Sequence, residues 1–411
     1  MKTSKHAAFR LAGGLGWSGR RYRGQEQGLA LVMTLFVVAL VTILVLEYHF
    51  DAAVEIDLAT NYASDVQAYH LALAGVRFAQ ALLQWDNRKA DGPDDSWYKL
   101  GLVPACFAPQ QLIELATTGG GEGLPTEGLD AKASTDRRIQ EVSQGDVGCV
   151  SLRITDEDSK LPINALMPPK GDENKPPDSV WARIFQEFFG SFKIDQEVVE
   201  ALADWMDQSD NPRGTGGAEK SYYTSLPVPY EPPNKRMRTP GELRLVKGLN
   251  DLETLAKLFP GVTPEAVADL DLGSNNYLTP FDAGQDTSGK SLARVNVNTA
   301  PAEVLKALIL GGTGGTGGTG GLSGRSNVDA EVQDIIATRQ DKQYSALPPS
   351  LGALKDYVGF QSTHFRVESV GVVGIVQKKI VAVLQRPSQP ATPATPATPA
   401  NQFIMRYFKV E

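Results

Sequence analysis

The sequence predicts an α+β fold: a long N-terminal helix, strands near residue 150 and again beyond residue 364, and a helical block between them. Three observations carry this. Leu29–Leu46 is an uncharged apolar run that continues as a helical stripe. Period-two alternation marks Cys149–Thr155, Phe365–Val373, Ile375–Gln385 and Phe403–Val410. Short, capped helical patterns follow one another from Trp181 to Tyr357.

The run LALVMTLFVVALVTILVL has 18 residues without charge. As a helix it spans roughly 27 Å, about one hydrocarbon core. Lys2, Lys5, Arg10, Arg20, Arg21 and Arg23 precede it, and Glu47, Asp51, Glu55 and Asp57 follow. That asymmetry predicts a cytoplasmic N-terminus and a translocated bulk. The run is too long for the apolar core of a cleaved signal peptide, and no small-x-small site closes it. Beyond it Leu58, Tyr62, Val66, Tyr69, Leu73, Val76, Ala79 and Leu83 recur near the helical period. One helix therefore runs from lipid onto a soluble domain, with Gly75 tolerated or allowing close approach.

The chain of 411 residues has room for two or three domains. Residues 1–27 hold six Lys/Arg and one Glu; the remainder holds 34 basic against 47 acidic residues, a net of −13. Such a domain suits hard cations better than phosphates. The two cysteines, Cys106 and Cys149, both lie on the translocated side, where an oxidising compartment favours a disulfide over two buried thiols.

After the strand Cys149–Thr155 come Asp156-Glu157-Asp158 and KLPINAL (Lys160–Leu166). Trp181–Phe189 and Gln196–Met206 carry helical spacing. Thr239-Pro240-Gly241-Glu242 is a capping box, Asn250–Glu253 opens a further helix closed by Pro260-Gly261, and Thr263-Pro264-Glu265 opens another. A second helical unit runs from Val295-Asn296-Val297-Asn298 through Pro301–Leu310, Val328–Arg339 and Ser350–Tyr357, interrupted by the tract Gly311–Gly321. A hairpin turning at Gly374 follows, and a PAT repeat, Pro390–Ala400, tethers the last strand. The expected division is 1–28 leader, 29–85 helix, 86–158 first part of the core, 159–358 helical insertion and 359–411 closing strands.

The densest chemical constellation is Asp204, Asp207, Asp210, Asn211 and Glu219 around a Gly-rich turn. Carboxylates at a helix end and in its following loop converge as oxygen ligands for Ca²⁺, or else cap the loop as solvated acids; the spacing is not that of an EF-hand. Gly284–Ser291 matches GxxxxGK[ST], but Pro280 interrupts the segment before it and a strand-like LARVNVN follows, so the strand and helix that a phosphate loop needs are missing. His6, His49, His70 and His364 sit in no nucleophile pattern, and no enzyme is expected.

Gly28 before an uncharged helix with an amphipathic extension, behind a basic leader, resembles the type IV pilin and pseudopilin class. With DWMDQSDNPRGTGGAEKSYY (Asp204–Tyr223), GELRLVKGL (Gly241–Leu249), KLPINAL and VNVNTAPAEVL, the chain is similar to the minor pseudopilin K family of the type II secretion system. Met33 stands where the wider class carries Glu, and Leu29 where it carries Phe.

The resemblance implies a pilin-like helix on a small antiparallel sheet with a large all-α insertion. It implies cleavage after Gly28 and methylation of Leu29 by the prepilin peptidase. It further implies calcium in the insertion, held by Asp207, Asp210 and Glu219, and an inner-membrane location. The implied function is capping the pseudopilus tip and initiating assembly with minor pseudopilins I and J, then the other pseudopilins. The rival reading is a membrane-anchored periplasmic DNA-binding or uptake protein using VNVNTAPAEVLKAL as a helix-hairpin-helix-like module; the acidic charge argues against it, and no nucleic acid is expected.

Overall fold

The computed structural model describes residues 24–86, 89–101, 106–112, 148–169, 176–259, 262–269, 277–312, 327–387 and 402–411. The leader up to residue 23, most of the Gly-rich tract and the PAT repeat lie outside them. The chain divides into two compact units, Met1–Ala63 and Ser64–Glu411.

Helix α1 runs unbroken over Gly24–Trp85. In the first unit it is long and apolar enough to cross a membrane, and the side chains from Leu29 to Leu46 are exposed. In the second unit α1 packs on a five-stranded antiparallel sheet of order β1-β2-β7-β8-β9. These strands are β1 (Cys106–Phe107), β2 (Cys149–Asp156), β7 (His364–Val373), β8 (Val376–Gln385) and β9 (Ile404–Val410). The β7–β8 hairpin turns at Gly374, whose φ of +58° suits glycine. Short α2 (Ser96–Gly101) lies along β2, and Cys106 and Cys149 form a disulfide.

The stripe the periodicity predicts holds at Val76, Ala79 and Leu83, which are buried, and is displaced before them. There Ala68 and Ala72 are buried, whereas Leu58, Tyr62 and Val66 are exposed and Tyr69 and Leu73 only half-buried. The cause is close approach. A Cβ on Gly75 would strike Ser369 and Val150, and one on Gly371 would strike the α1 backbone at Ala68 and Ala72. Only small residues fit at that contact line, so the large side chains flank it.

Between β2 and β7 the chain departs for a second core. This insertion holds the short strands β3 (Leu161–Pro162), β4 (Leu278–Thr279), β5 (Val295–Asn296) and β6 (Val358–Gly359), paired parallel as β3–β4 and β5–β6. Its helices are α3 (Ser179–Ser191), α4 (Val198–Met206), α5 (Lys220–Thr224), α6 (Leu252–Ala256), α7 (Pro264–Asp269), α8 (Ala302–Gly312) and α9 (Val328–Asp341). The capping-box segment forms a 3-10 turn over Pro240–Leu245 rather than an α-helix, as does Pro349–Leu354. Trp181, Phe185, Phe188 and Phe189 of α3 pack with Leu305, Leu308 and Ile309 of α8. Gly311 lies against the Ile184 backbone and its carbonyl accepts from Arg183 Nε at 3.1 Å.

Each part has its own apolar core: one from α1, α2 and the sheet, the other running from Leu161 to Val358. A buried polar seam joins them. Asp156 Oδ2 accepts from Ser362 Oγ at 2.6 Å, from Asn296 Nδ2 at 3.1 Å and from Thr299. Glu157 accepts from Lys160 at 2.9 Å and Arg366 at 2.6 Å. Asp158 Oδ1 faces His364 Nδ1 at 3.1 Å. The acidic triplet that ends β2 thus fastens the insertion to the sheet.

Candidate metal centre

Asp204 stands in the last turn of α4, Asp207 is its C-cap, and Glu219 is the N-cap of α5. The turn between them brings one carboxylate oxygen of each within 4.8 Å of the others. All three are buried, at 0%, 2% and 1% exposure. The family resemblance pointed to Asp207, Asp210 and Glu219, out of a sequence constellation that also held Asp204. The structure groups Asp207 and Glu219 with Asp204, while Asp210 is exposed in the loop outside that group. Helical spacing favours Asp204 within that constellation: it lies one turn before Asp207, on the same face of α4.

Backbone geometry holds the loop. Asp204 Oδ2 accepts from the N–H groups of Arg213 at 3.0 Å and Ala218 at 2.9 Å. Asp207 Oδ1 accepts from the Ser209 N–H at 2.8 Å. A side chain on Gly217 would collide with the Arg213 backbone and the Asp204 carboxylate, which makes glycine necessary there. Arg213 is the compensating cation: Nη2 lies 2.6 Å from Asp207 Oδ2 and Nε 3.1 Å from Asp204 Oδ1.

One cation does not balance three buried acids. Both Glu219 carboxylate oxygens are buried without a hydrogen-bond partner. Burial, and then the charges of Asp204, Asp207 and Asp210, push its pKa up to about 8. Burial likewise pushes Asp204 up to about 6, against the hydrogen bond from the Arg213 backbone. Leaving such oxygens bare costs several kcal/mol per charge. Hard oxygen donors, an uncompensated negative charge and an unpartnered carboxylate fit a hard divalent cation such as Ca²⁺.

Other sequence candidates resolve differently. The Gly284–Ser291 segment is a tight turn closed by the Gln285–Ser291 bridge, and Asp286 Oδ1 takes the N–H groups of Ser288 at 2.8 Å and Lys290 at 3.0 Å. An internal carboxylate thus occupies amides that a phosphate loop would offer, and coil then β5 follow in place of a helix. In VNVN, Asn296 donates to Asp91, Asp156 and Ser362, and Asn298 exchanges hydrogen bonds with Tyr344; both are structural. A second acidic group, Asp86, Asp91 and Asp95, was not legible in the sequence. There Arg386 donates to Asp91 at 2.8 Å and to Asp86 at 3.0 Å, so this group is tied to a cation of its own chain.

A single long helix seated by small residues on an antiparallel sheet, with a helical insertion leaving from the sheet, defines a pilin-like protein. Residues 159–264, which include the acidic centre, match the family model for type II secretion system protein K. Type II secretion system protein K of Pseudomonas aeruginosa is 26% identical over 370 residues, covering 89% of this chain and 90% of that protein. The protein of the same name from Pectobacterium carotovorum is 25% identical, covering 70% and 75%. Among solved structures, the GspK–GspI–GspJ complex of the enterotoxigenic Escherichia coli type 2 secretion system aligns at a TM-score of 0.46 and 15% identity, over 88% of this chain and 99% of that one. By these matches the chain is similar to protein K of the type II secretion system, through the family model over 159–264 and through relatives that align along most of its length.

Proposed function

We propose that this protein is a minor pseudopilin that caps the tip of the secretion pseudopilus and, with minor pseudopilins I and J, initiates its assembly. The observation that carries the reading is the divided burial of α1. Leu29–Leu46 leaves uncharged apolar side chains exposed, while the helix from Ala68 onward is seated on a globular core. The exposed half suits lipid and the corresponding helices of other subunits, to which it binds by burying apolar surface. Met33 lies within it, where the wider pilin class carries a glutamate that pairs with a neighbour's N-terminal amine. Lacking that group, this subunit has no need of another above it, which is the position of a tip.

In this reading the prepilin peptidase cleaves after Gly28 and methylates Leu29. The N-terminus then faces the cytoplasm and the bulk the periplasm, anchored to the inner membrane by one span. Co-expression with minor pseudopilins I and J tests the tip assignment: a stable ternary complex supports it, and failure to co-purify opposes it. Mass spectrometry of the mature N-terminus tests the processing, with methyl-Leu29 expected and an intact leader contradicting it.

Calcium belongs to the same proposal. Asp204, Asp207 and Glu219 would hold the ion, with Asp210 at the rim of the loop. Bound there, the ion supplies positive charge that the buried carboxylates lack. The residues' own part is to fix the α4–α5 turn, since Asp204 ties Arg213 and Ala218 to the end of α4. Calcium should raise the melting temperature of the parent and not of Asp207→Ala; no rise in the parent ends this reading.

A further inference from the structure

The described residues beyond the first helix carry 32 acidic against 26 basic side chains, yet one cleft in the second unit has the opposite sign. It is a cavity of about 760 Å³ where the insertion meets the open end of the sheet. Lys235, Arg236, Arg238, Arg406 and His364 line it, against a single acid, Asp282. That acid is already engaged by an ion pair with Arg236. Asp158 holds His364 toward its protonated form, outweighing the burial that lowers its pKa. Lys235 and Arg238 are exposed, and neither side chain has an ionic partner among the described residues.

The cations are held in place by the fold. Asn234 turns the chain at φ +49°, and prolines flank the segment at 232, 233 and 240. Asn164 then pins it, accepting from the Met237 N–H at 2.8 Å and donating to the Met237 carbonyl at 3.0 Å. Met237 is buried while Arg238 faces outward. Arg406 comes from β9, where its Nε donates to Gln385 at 2.7 Å. A low-dielectric cleft lined by one sign of charge concentrates counter-charge, and guanidinium groups match the planar fork of a carboxylate.

Strand β9 itself decides what kind of anion fits. It is the last strand of the sheet, and its outer edge pairs with no described residue. Unpaired backbone N–H and C=O groups beside a cationic cleft suit an extended peptide, which adds along the edge and places its side chains in the cleft. A nucleic acid strand would have to carry its remaining phosphates over an acidic surface. We propose that the cleft between Lys235–Arg238 and Arg406, together with the free edge of β9, is a docking site for an acidic, extended peptide segment of a partner protein.

The test uses the full chain in nonionic detergent, with fluorescence anisotropy of a labelled oligoglutamate peptide and its oligoglutamine counterpart. The acidic peptide should bind at least roughly tenfold more tightly, with an affinity that falls as salt rises. Lys235→Glu/Arg238→Glu should lose about tenfold or more of that affinity. Lys257→Glu/Lys342→Glu, which makes the same charge change away from the cleft, should not. Unfolding temperatures verify the fold of each variant, and Arg406→Gln supplies a second, milder variant. Equal binding of the two peptides, or undiminished binding by the cleft variants, overturns the proposal. So does tighter binding of a single-stranded oligonucleotide, or displacement of the peptide by equimolar inorganic phosphate.

Discussion

Replacing Arg213 with methionine should tighten calcium binding, although it removes an ion pair from the site. The guanidinium sits on the same oxygens a divalent ion would use, 2.6 Å from Asp207 Oδ2 and 3.1 Å from Asp204 Oδ1. A unit charge about 5 Å from a divalent ion, at an effective dielectric near 20, repels it by roughly 7 kcal/mol. The Arg213 side chain is 16% exposed and can swing toward water, which leaves about 1.4 to 2.8 kcal/mol, or roughly ten- to hundredfold in Kd. Terbium luminescence sensitised by Trp205, which adjoins Asp204 in α4, gives a direct titration, and calcium competition gives the calcium Kd. The metal-free variant should also melt earlier than the metal-free parent, because three buried acids lose their nearest cation. An unchanged or weaker calcium Kd in Arg213→Met refutes the competition argument while leaving the calcium site intact. Absence of binding in the parent refutes the site itself.

Four further outcomes follow from the geometry. Folded Glu219 and Asp204 hold protons more tightly than the unfolded chain does, so the metal-free protein should lose stability as pH rises from about 4.5 to about 8; denaturant unfolding should show Glu219→Gln flattening that slope. Gly371→Val should cost more than about 2 kcal/mol in the same assay, since the new side chain meets the α1 backbone at Ala68. Arg386→Ala should cost about 3 to 5 kcal/mol by stranding Asp86 and Asp91, and Asp91→Asn in that background should recover part of it. Reducing Cys106–Cys149, 43 residues apart, should cost at most ~4 kcal/mol by loop entropy and lower the melting temperature accordingly.

Period and cap signals made the skeleton legible in the sequence. Strands β2, β7, β8 and β9 fall within a residue or two of the alternating runs, and α3, α4 and α9 within two of the helical ones. These signals are local, and so are their failures. Ahead of Val76 the α1 stripe was misplaced because hydropathy favours Tyr69 and Leu73, whereas the fit to Gly371 demands Ala68 and Ala72. The 3-10 turn at Pro240 has helix-type caps, but only Leu243 and the leading proline bury themselves, too little apolar surface to extend it.

The acidic centre was half-legible. The motif marked the loop, but choosing Asp204 over Asp210 depends on which carboxylate the turn folds inward. The seam between the cores could not be read at all. Asp156 and Thr299 look like ordinary strand-end and turn residues until the fold places them together.

The whole insertion leaves after Asp156 and returns at His364, yet Asp156 pairs directly with Phe365 in the sheet. Topologically, it is the tip of a β-hairpin, and its closing ion pair, Glu157–Arg366, joins residues 209 apart in sequence. Closing so large a loop in an unfolded chain costs about 4 to 5 kcal/mol of entropy before any strand contact repays it. A tip that is already folded, with its two ends drawn together by the β3–β4 and β5–β6 pairs, shortens that loop to a few effective links. Loop entropy thus favours an order in which the helical insertion forms first, then the central strand pair, and last the platform on which α1 is seated.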